Sequence, residues 1–220
     1  MGPLILKDIR IQKRYILLGF VFIGIVFFGL GAFEGLPLSV PAAIFSHFLI
    51  VVASKSDEKN NNGRMLASFP LLRRDIVASK YAGIFVFIAL AFALTSLWRV
   101  LAALILPSEE LPWFDLPSVL LTIGVLLLFY SIYFPLFFAL GSRLSQVLDI
   151  VVVFAVGGTA VIVLRILEWT NGGAGAALRE LFAHGSAGMT AIGWWSAGGG
   201  LVLSIVSCLL AMALYERRSL

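Results

Sequence analysis

The chain has 220 residues, 60% of them hydrophobic and 13% charged, and carries a net charge of +4 at pH 7. Soluble domains are about 45–50% apolar and about 25% charged, so the composition excludes a water-soluble globular protein and predicts one all-α integral membrane domain over 1–220. The excess base sits at the ends of apolar runs, which is no nucleic-acid footprint, and the single cysteine, Cys208, excludes a disulfide framework.

The first predicted element is an amphipathic helix over 1–14. On a helical wheel Lys7, Arg10, Lys13 and Arg14 fall on one side, and Leu4, Ile5, Ile9 and Ile11 on the other. Such a helix lies in the interfacial plane, with its base towards water and anionic lipid head groups. Asp8 falls towards the apolar side, which a plain topology signal does not need. The basic start runs into a span-length apolar stretch without a small-residue cleavage site, unlike a removable signal.

Six transmembrane helices are predicted near 15–33, 37–54, 80–106, 117–140, 149–168 and 193–214, each with about the 20 apolar residues that cross the hydrocarbon. Nothing alternates as a barrel strand does. The turn Glu34-Gly35-Leu36-Pro37 is tight, so the spans it joins are antiparallel neighbours. Thirteen Lys and Arg residues fall in the N-terminal arm, the 55–80 segment, the 141–148 loop and the tail, against Arg165 and Arg179 on the other side. That bias places both termini in the cytoplasm of a multi-pass cell-membrane protein. The 107–116 loop, with Glu109, Glu110, Trp113 and Asp115, suits the outer interface. Asn171-Gly-Gly-Ala-Gly reads as a turn, followed by a short amphipathic helix over 176–184. Gly157-Gly158 and Gly198-Gly199-Gly200 are places where backbones can approach closely.

No G-x-x-x-x-G-K-[ST] loop is present, so the chain cannot cradle nucleotide phosphates itself. Its two histidines, His47 and His184, stand in different regions and in no H-E-x-x-H motif, which argues against a zinc site. His184-Gly-Ser-Ala-Gly lacks the glycine that a serine-nucleophile turn needs two places before Ser186. Arg99, inside the third span beside Trp98, reads either as a pathway residue paired with Glu34 or Glu109 or as an interface anchor. His47, next to Ser46, suits a hydrogen bond within the bundle. Pro135 removes a backbone donor from the fourth span and should kink it. Tyr130, Ser131 and Tyr133 either line a path for amphiphilic cargo or pack as ordinary inner-leaflet aromatics.

The segment 55–79 is the largest polar island. Asp57 and Glu58 suit the positive end of a short helix, Pro70 turns the chain at Phe69, and Asp75 is placed to cap the third span. The result is an elbow whose apolar tip, Met65, Leu66, Phe69, Leu71 and Leu72, is ringed by Arg64, Arg73 and Arg74. A merely solvated loop has no need of five such apolar residues.

The pattern Asp57-Glu-Lys-Asn, Met65-Leu-x-Ser68-Phe-Pro-Leu, Arg73-Arg-Asp-Ile-Val and Ser79-Lys80-Tyr, with Leu6-Lys7-Asp8 upstream, resembles the ABC-2 type permeases. The likeness is to the small six-span kind of Gram-positive exporters for phenol-soluble modulins and related peptides. It covers the whole chain in architecture but is specific in sequence only in the loop, where Phe69 stands in place of an expected leucine. The resemblance implies a type V-like exporter fold and a homodimer joined through spans one and five. It implies a separate ABC ATPase subunit, holding ATP and Mg, docked on a coupling helix in 55–79, and an amphipathic peptide moved outwards. This chain itself then needs no cofactor and is no enzyme. A stand-alone secondary transporter and a scaffold or immunity-type protein are the competing readings.

Overall fold

The computed structural model describes residues 2–25, 37–59, 72–105, 113–140 and 187–217. These residues form α1 (Gly2–Ile11), α2 (Lys13–Ile23), α3 (Ser39–Lys59), α4 (Arg73–Ile105), α5 (Leu116–Leu140) and α6 (Ala187–Arg217). Three stretches, Arg73–Ile105, Leu116–Ala139 and Gly188–Glu216, are long and apolar enough to cross a membrane, and α3 adds a shorter apolar run, Ser39–Ser54. The predicted span 149–168, the helix 176–184 and residues 26–36 lie outside the described residues.

Several boundaries differ from expectation. The arm is not one helix over 1–14: Gln12, at φ −87° and ψ 0°, divides α1 from α2, since a helix needs ψ near −42°. α3 runs unbroken through Lys59, so Asp57 and Glu58 close it rather than open a new helix. α4 begins at Arg73, two turns before the predicted start of the third span. Asp75 is not its cap, because it lies inside the first turn and its N–H bonds to the Leu72 carbonyl at 2.9 Å. There its charge still favours the positive end of the helix dipole. At 1.5 Å per residue α4 is about 50 Å long against a hydrocarbon core of about 30 Å, so its ends reach beyond the apolar layer. The true cap is Asp115 on α5: its Oδ2 accepts from the Ser118 backbone N–H at 3.1 Å and from the Ser118 hydroxyl.

α5 and α6 pack along a seam of small residues. Gly193, Ser196, Gly200, Ser204, Ser207 and Ala211 recur at steps of three and four, one face of a helix. A methyl on Gly200 would sit 3.0 Å from the Gly124 carbonyl oxygen and from Leu127 Cβ, whereas Gly198 and Gly199 face open space. Of the three adjacent glycines, only Gly200 serves the close approach the sequence suggested.

Pro135 leaves α5 helical to Leu140. Its missing N–H would have bonded the Ser131 carbonyl. That carbonyl instead accepts the Ser207 hydroxyl of α6 at 2.6 Å. With the Ser207 proton so committed, Tyr81 of α4 donates to Ser207 Oγ, 2.6 Å away. A single missing donor in α5 is thus made good by a hydroxyl chain that ties three helices, as an apolar medium requires.

α1 and α2 lie against α3 and α4. Gly19 lets Phe45 press on the backbone of α2, and Trp98 stacks on Phe20 at 5.0 Å while its Nε1 donates to the Phe20 carbonyl at 2.6 Å. Because Asp8 meets Lys80, and Phe20 meets Trp98, α1 and α2 run in the same direction as α4. The last turn of α6 meets the first turn of α4, so the start of α1, the start of α4 and the ends of α3 and α6 share one end of the bundle.

Candidate functional site

That shared end carries a cluster of charged contacts among the described residues. Arg73 reaches back to the carboxyl end of α6, its guanidinium donating to the Tyr215 carbonyl at 3.3 Å and the Glu216 carbonyl at 3.2 Å. These are terminal carbonyls that no helical N–H can reach. Arg74 pairs with Glu216 through both carboxylate oxygens, Nε–Oε1 at 2.5 Å and a second nitrogen to Oε2 at 3.4 Å. Two of the three arginines expected to ring an apolar docking tip are thus engaged within the chain. They fasten α4, as it leaves the polar segment, to the end of α6. Leu72, immediately before them, is 69% exposed. Arg64, Met65, Leu66, Phe69, Pro70 and Leu71 lie outside the described residues.

Two turns along α4, Lys80 is buried and meets Asp8 of α1, Nζ–Oδ2 2.9 Å, with only 9% and 8% of each residue exposed. Lys80 also donates to the Ala53 carbonyl of α3 at 3.3 Å. Lys7 approaches the other Asp8 oxygen at 3.2 Å. One turn on, Gln12 is fully buried, and its amide is assigned with the nitrogen 3.1 Å from the Leu49 carbonyl and the oxygen 3.1 Å from the Ala53 N–H. The face that α1 and the junction with α2 turn to the protein therefore contains Asp8 and Gln12, while Arg10, Lys13 and Arg14 are exposed. Asp8 stood out in the sequence; its pairing with Lys80 did not, because nothing on one helix names a partner 72 residues away.

The expected cargo-pathway residues separate. Arg99 lies over the Trp113 ring, 4.2 Å from its centroid, near the opposite end of the bundle. There its cation rests on an aromatic face, which is an anchor's arrangement. Tyr130 and Tyr133 are core residues, 0% and 1% exposed. Tyr130 bonds to His47 Nδ1 at 2.9 Å, the bundle-internal bond expected of that histidine, and Tyr133 packs parallel to Phe137. Their neighbours Ser131 and Ile132 face an open groove of about 330 Å³ between α5 and α6, together with Leu128, Leu203 and Val206. Among the described residues no three His, Cys, Asp or Glu side chains gather as a metal would need.

Long apolar helices, joined by buried polar bonds and tied by charge at one end, define a helical membrane protein. Residues 3–216 match the family described as ABC-2 family transporter protein. The chain belongs to that family, and with it to the membrane components of ABC transport. No match was found among curated proteins or among solved structures.

Proposed function

We propose that the chain is the multi-pass permease subunit of an ATP-driven exporter in the cell membrane. Two copies form the pathway, and a separate ABC ATPase docks on the segment between α3 and α4. The observation that carries this reading is the family match over residues 3–216. The convergence of α1, the stems α3 and α4, and the end of α6 supports it, because a partner gripping the segment 60–71 acts on all four at once. The chain has no phosphate-binding loop, so ATP and Mg belong to the partner. The basic residues at the shared end, among them Arg10, Lys13, Arg14, Arg73 and Arg74, favour the cytoplasmic side and would lay α1 against anionic head groups. The cargo is an amphipathic peptide of the phenol-soluble-modulin or antimicrobial kind, moved outwards.

The test is co-purification of an ABC ATPase with the tagged chain, followed by ATP-dependent uptake of a fluorescent amphipathic peptide into inverted vesicles. Leu72→Asp should abolish ATPase binding while the protein still inserts. Peptide uptake driven by a proton gradient without the ATPase would select a secondary transporter. Peptide protection that survives an inactive ATPase would select an immunity protein.

A further inference from the structure

Asp8 and Lys80 are buried charges in a structure that could have done without them. An ion pair taken out of water loses in desolvation about what it gains in attraction, and well-packed apolar residues often serve stability as well. What the pair supplies is a fixed position. In an apolar bundle, packing alone discriminates weakly between neighbouring registers, whereas a carboxylate and an ammonium that must meet at 2.9 Å do not.

Its place in the fold is specific. Lys80 lies seven residues from the start of α4, about 10 Å along the helix, and Ala53 lies six residues from the end of α3, about 9 Å. The pair therefore stands just inside both stems of the segment proposed to receive the ATPase. It joins those stems to α1, which leads through Gln12 directly into α2. Gln12 repeats the tie one turn further, on the same turn of α3.

We propose that Asp8 and Lys80 are positioning residues: the pair is a strut that makes α1 move as one body with the first turns of α4. Displacement of α4 is thereby carried to the N-terminal arm and, through it, to α2. The functional half of this inference rests on the exporter reading; the mechanical half concerns the chain alone. Lys7, on the second Asp8 oxygen, keeps the carboxylate between two ammonium groups, so a small shift of either helix leaves Asp8 with a partner.

The test uses the full chain in lipid nanodiscs, with Cys208→Ala and spin labels on cysteines replacing the exposed Leu6 and Leu72. The parent should give one narrow distance distribution, and a broad one overturns the strut before any further substitution. Asp8→Asn/Lys80→Met, which removes both charges, should broaden or split the distribution while the melting temperature changes little. Lys80→Arg should keep it narrow. An unchanged distribution in the neutral double variant overturns the proposal, as does broadening by Lys80→Arg as large as that of the neutral variant.

The co-purified ATPase is then added. The neutral variant should bind it as tightly as the parent does, yet lose about tenfold or more of the permease-dependent ATPase stimulation, the size of an ordinary allosteric coupling. Full stimulation overturns the transmission role. If the parent itself binds no ATPase, the exporter reading fails, and the distance measurement still decides the strut.

Discussion

Pro135 and Ser207 form a pair whose energetics follow directly from the structure. Ser207→Ala removes the donor to the Ser131 carbonyl and the acceptor of the Tyr81 hydroxyl, both at 2.6 Å. Two polar groups then lose partners inside the bundle. Side-chain hydrogen bonds between membrane helices average about 0.6 kcal/mol and reach about 1.7, and a buried group left unsatisfied costs about 1–3 kcal/mol. For two groups, the expected loss is roughly 1–3 kcal/mol. Pro135→Ala supplies an N–H to Ser131 from within α5, so in that background Ser207→Ala strands only the tyrosine, and its cost should fall by about half. The cycle of the two single variants and the double variant, read by SDS titration in mixed micelles with circular dichroism, should give a coupling of about 0.5–1.5 kcal/mol. Tyr81→Phe should cost less than Ser207→Ala, because it leaves the carbonyl bonded. Equal costs for Ser207→Ala in both backgrounds would show that the hydroxyl does not stand in for the missing backbone donor.

At the helix seam, Gly124→Ala puts a methyl 2.5 Å from the Ser196 backbone carbon and hydroxyl and should destabilise by about 1–3 kcal/mol, an overpacking cost. Gly199→Ala meets nothing within 4 Å and should be neutral or up to about 1 kcal/mol stabilising from helix propensity; thermal melts in detergent that shift the two variants alike would contradict the seam. Asp8→Asn alone takes the counter-charge from the buried Lys80 ammonium, which keeps its bond to the Ala53 carbonyl, and should cost about 3–5 kcal/mol, most of which is recovered when Lys80→Met is added; a cost that simply adds would mean the two charges do not depend on each other. Arg74→Glu should lower ATPase stimulation, and the exchange Arg74→Glu/Glu216→Arg should restore it, because both guanidinium contacts go to Glu216; no recovery would assign Arg74 to the partner's surface instead.

The three long helices were legible because an apolar run of more than 20 residues has few other fates. Their ends were not. Arg73 to Ser79 were assigned to the polar segment because charge marks where a chain leaves the hydrocarbon, and a helix does not stop there unless its hydrogen-bond ladder is broken. Likewise α3 carries its polar end out to Lys59. Pro135 identified the carbonyl that would lack a donor, Ser131, by the i−4 rule alone. The replacement, Ser207, is 76 residues away and follows only from how α5 meets α6. Tyr130 and Tyr133 fitted a pathway and core packing equally well as isolated side chains; the bond to His47 and the stack on Phe137 follow only from how the helices meet.

The polar contacts share a logic that composition hides. Apolar surface is abundant on every helix, and lipid competes for it on equal terms, so burial of oil cannot by itself choose neighbours in a bilayer. The choice falls to groups that lipid cannot satisfy. Ser207 fixes α6 against α5 where Pro135 leaves a carbonyl open, and Tyr81 brings α4 to the same point. Lys80 fixes α4 against α1 and α3, and Arg73 and Arg74 fix its first turn against the end of α6. α4 takes part in each of these sets and starts where the polar segment ends. A displacement applied at Leu72 therefore meets bonds to three other helices, α1, α3 and α6, within the first three turns of α4; towards Ile105, α4 is held by the Trp98 contact with Phe20 and the stacking of Arg99 on Trp113. In the proposed exporter, work applied at the start of α4 would therefore reach all three of those helices together.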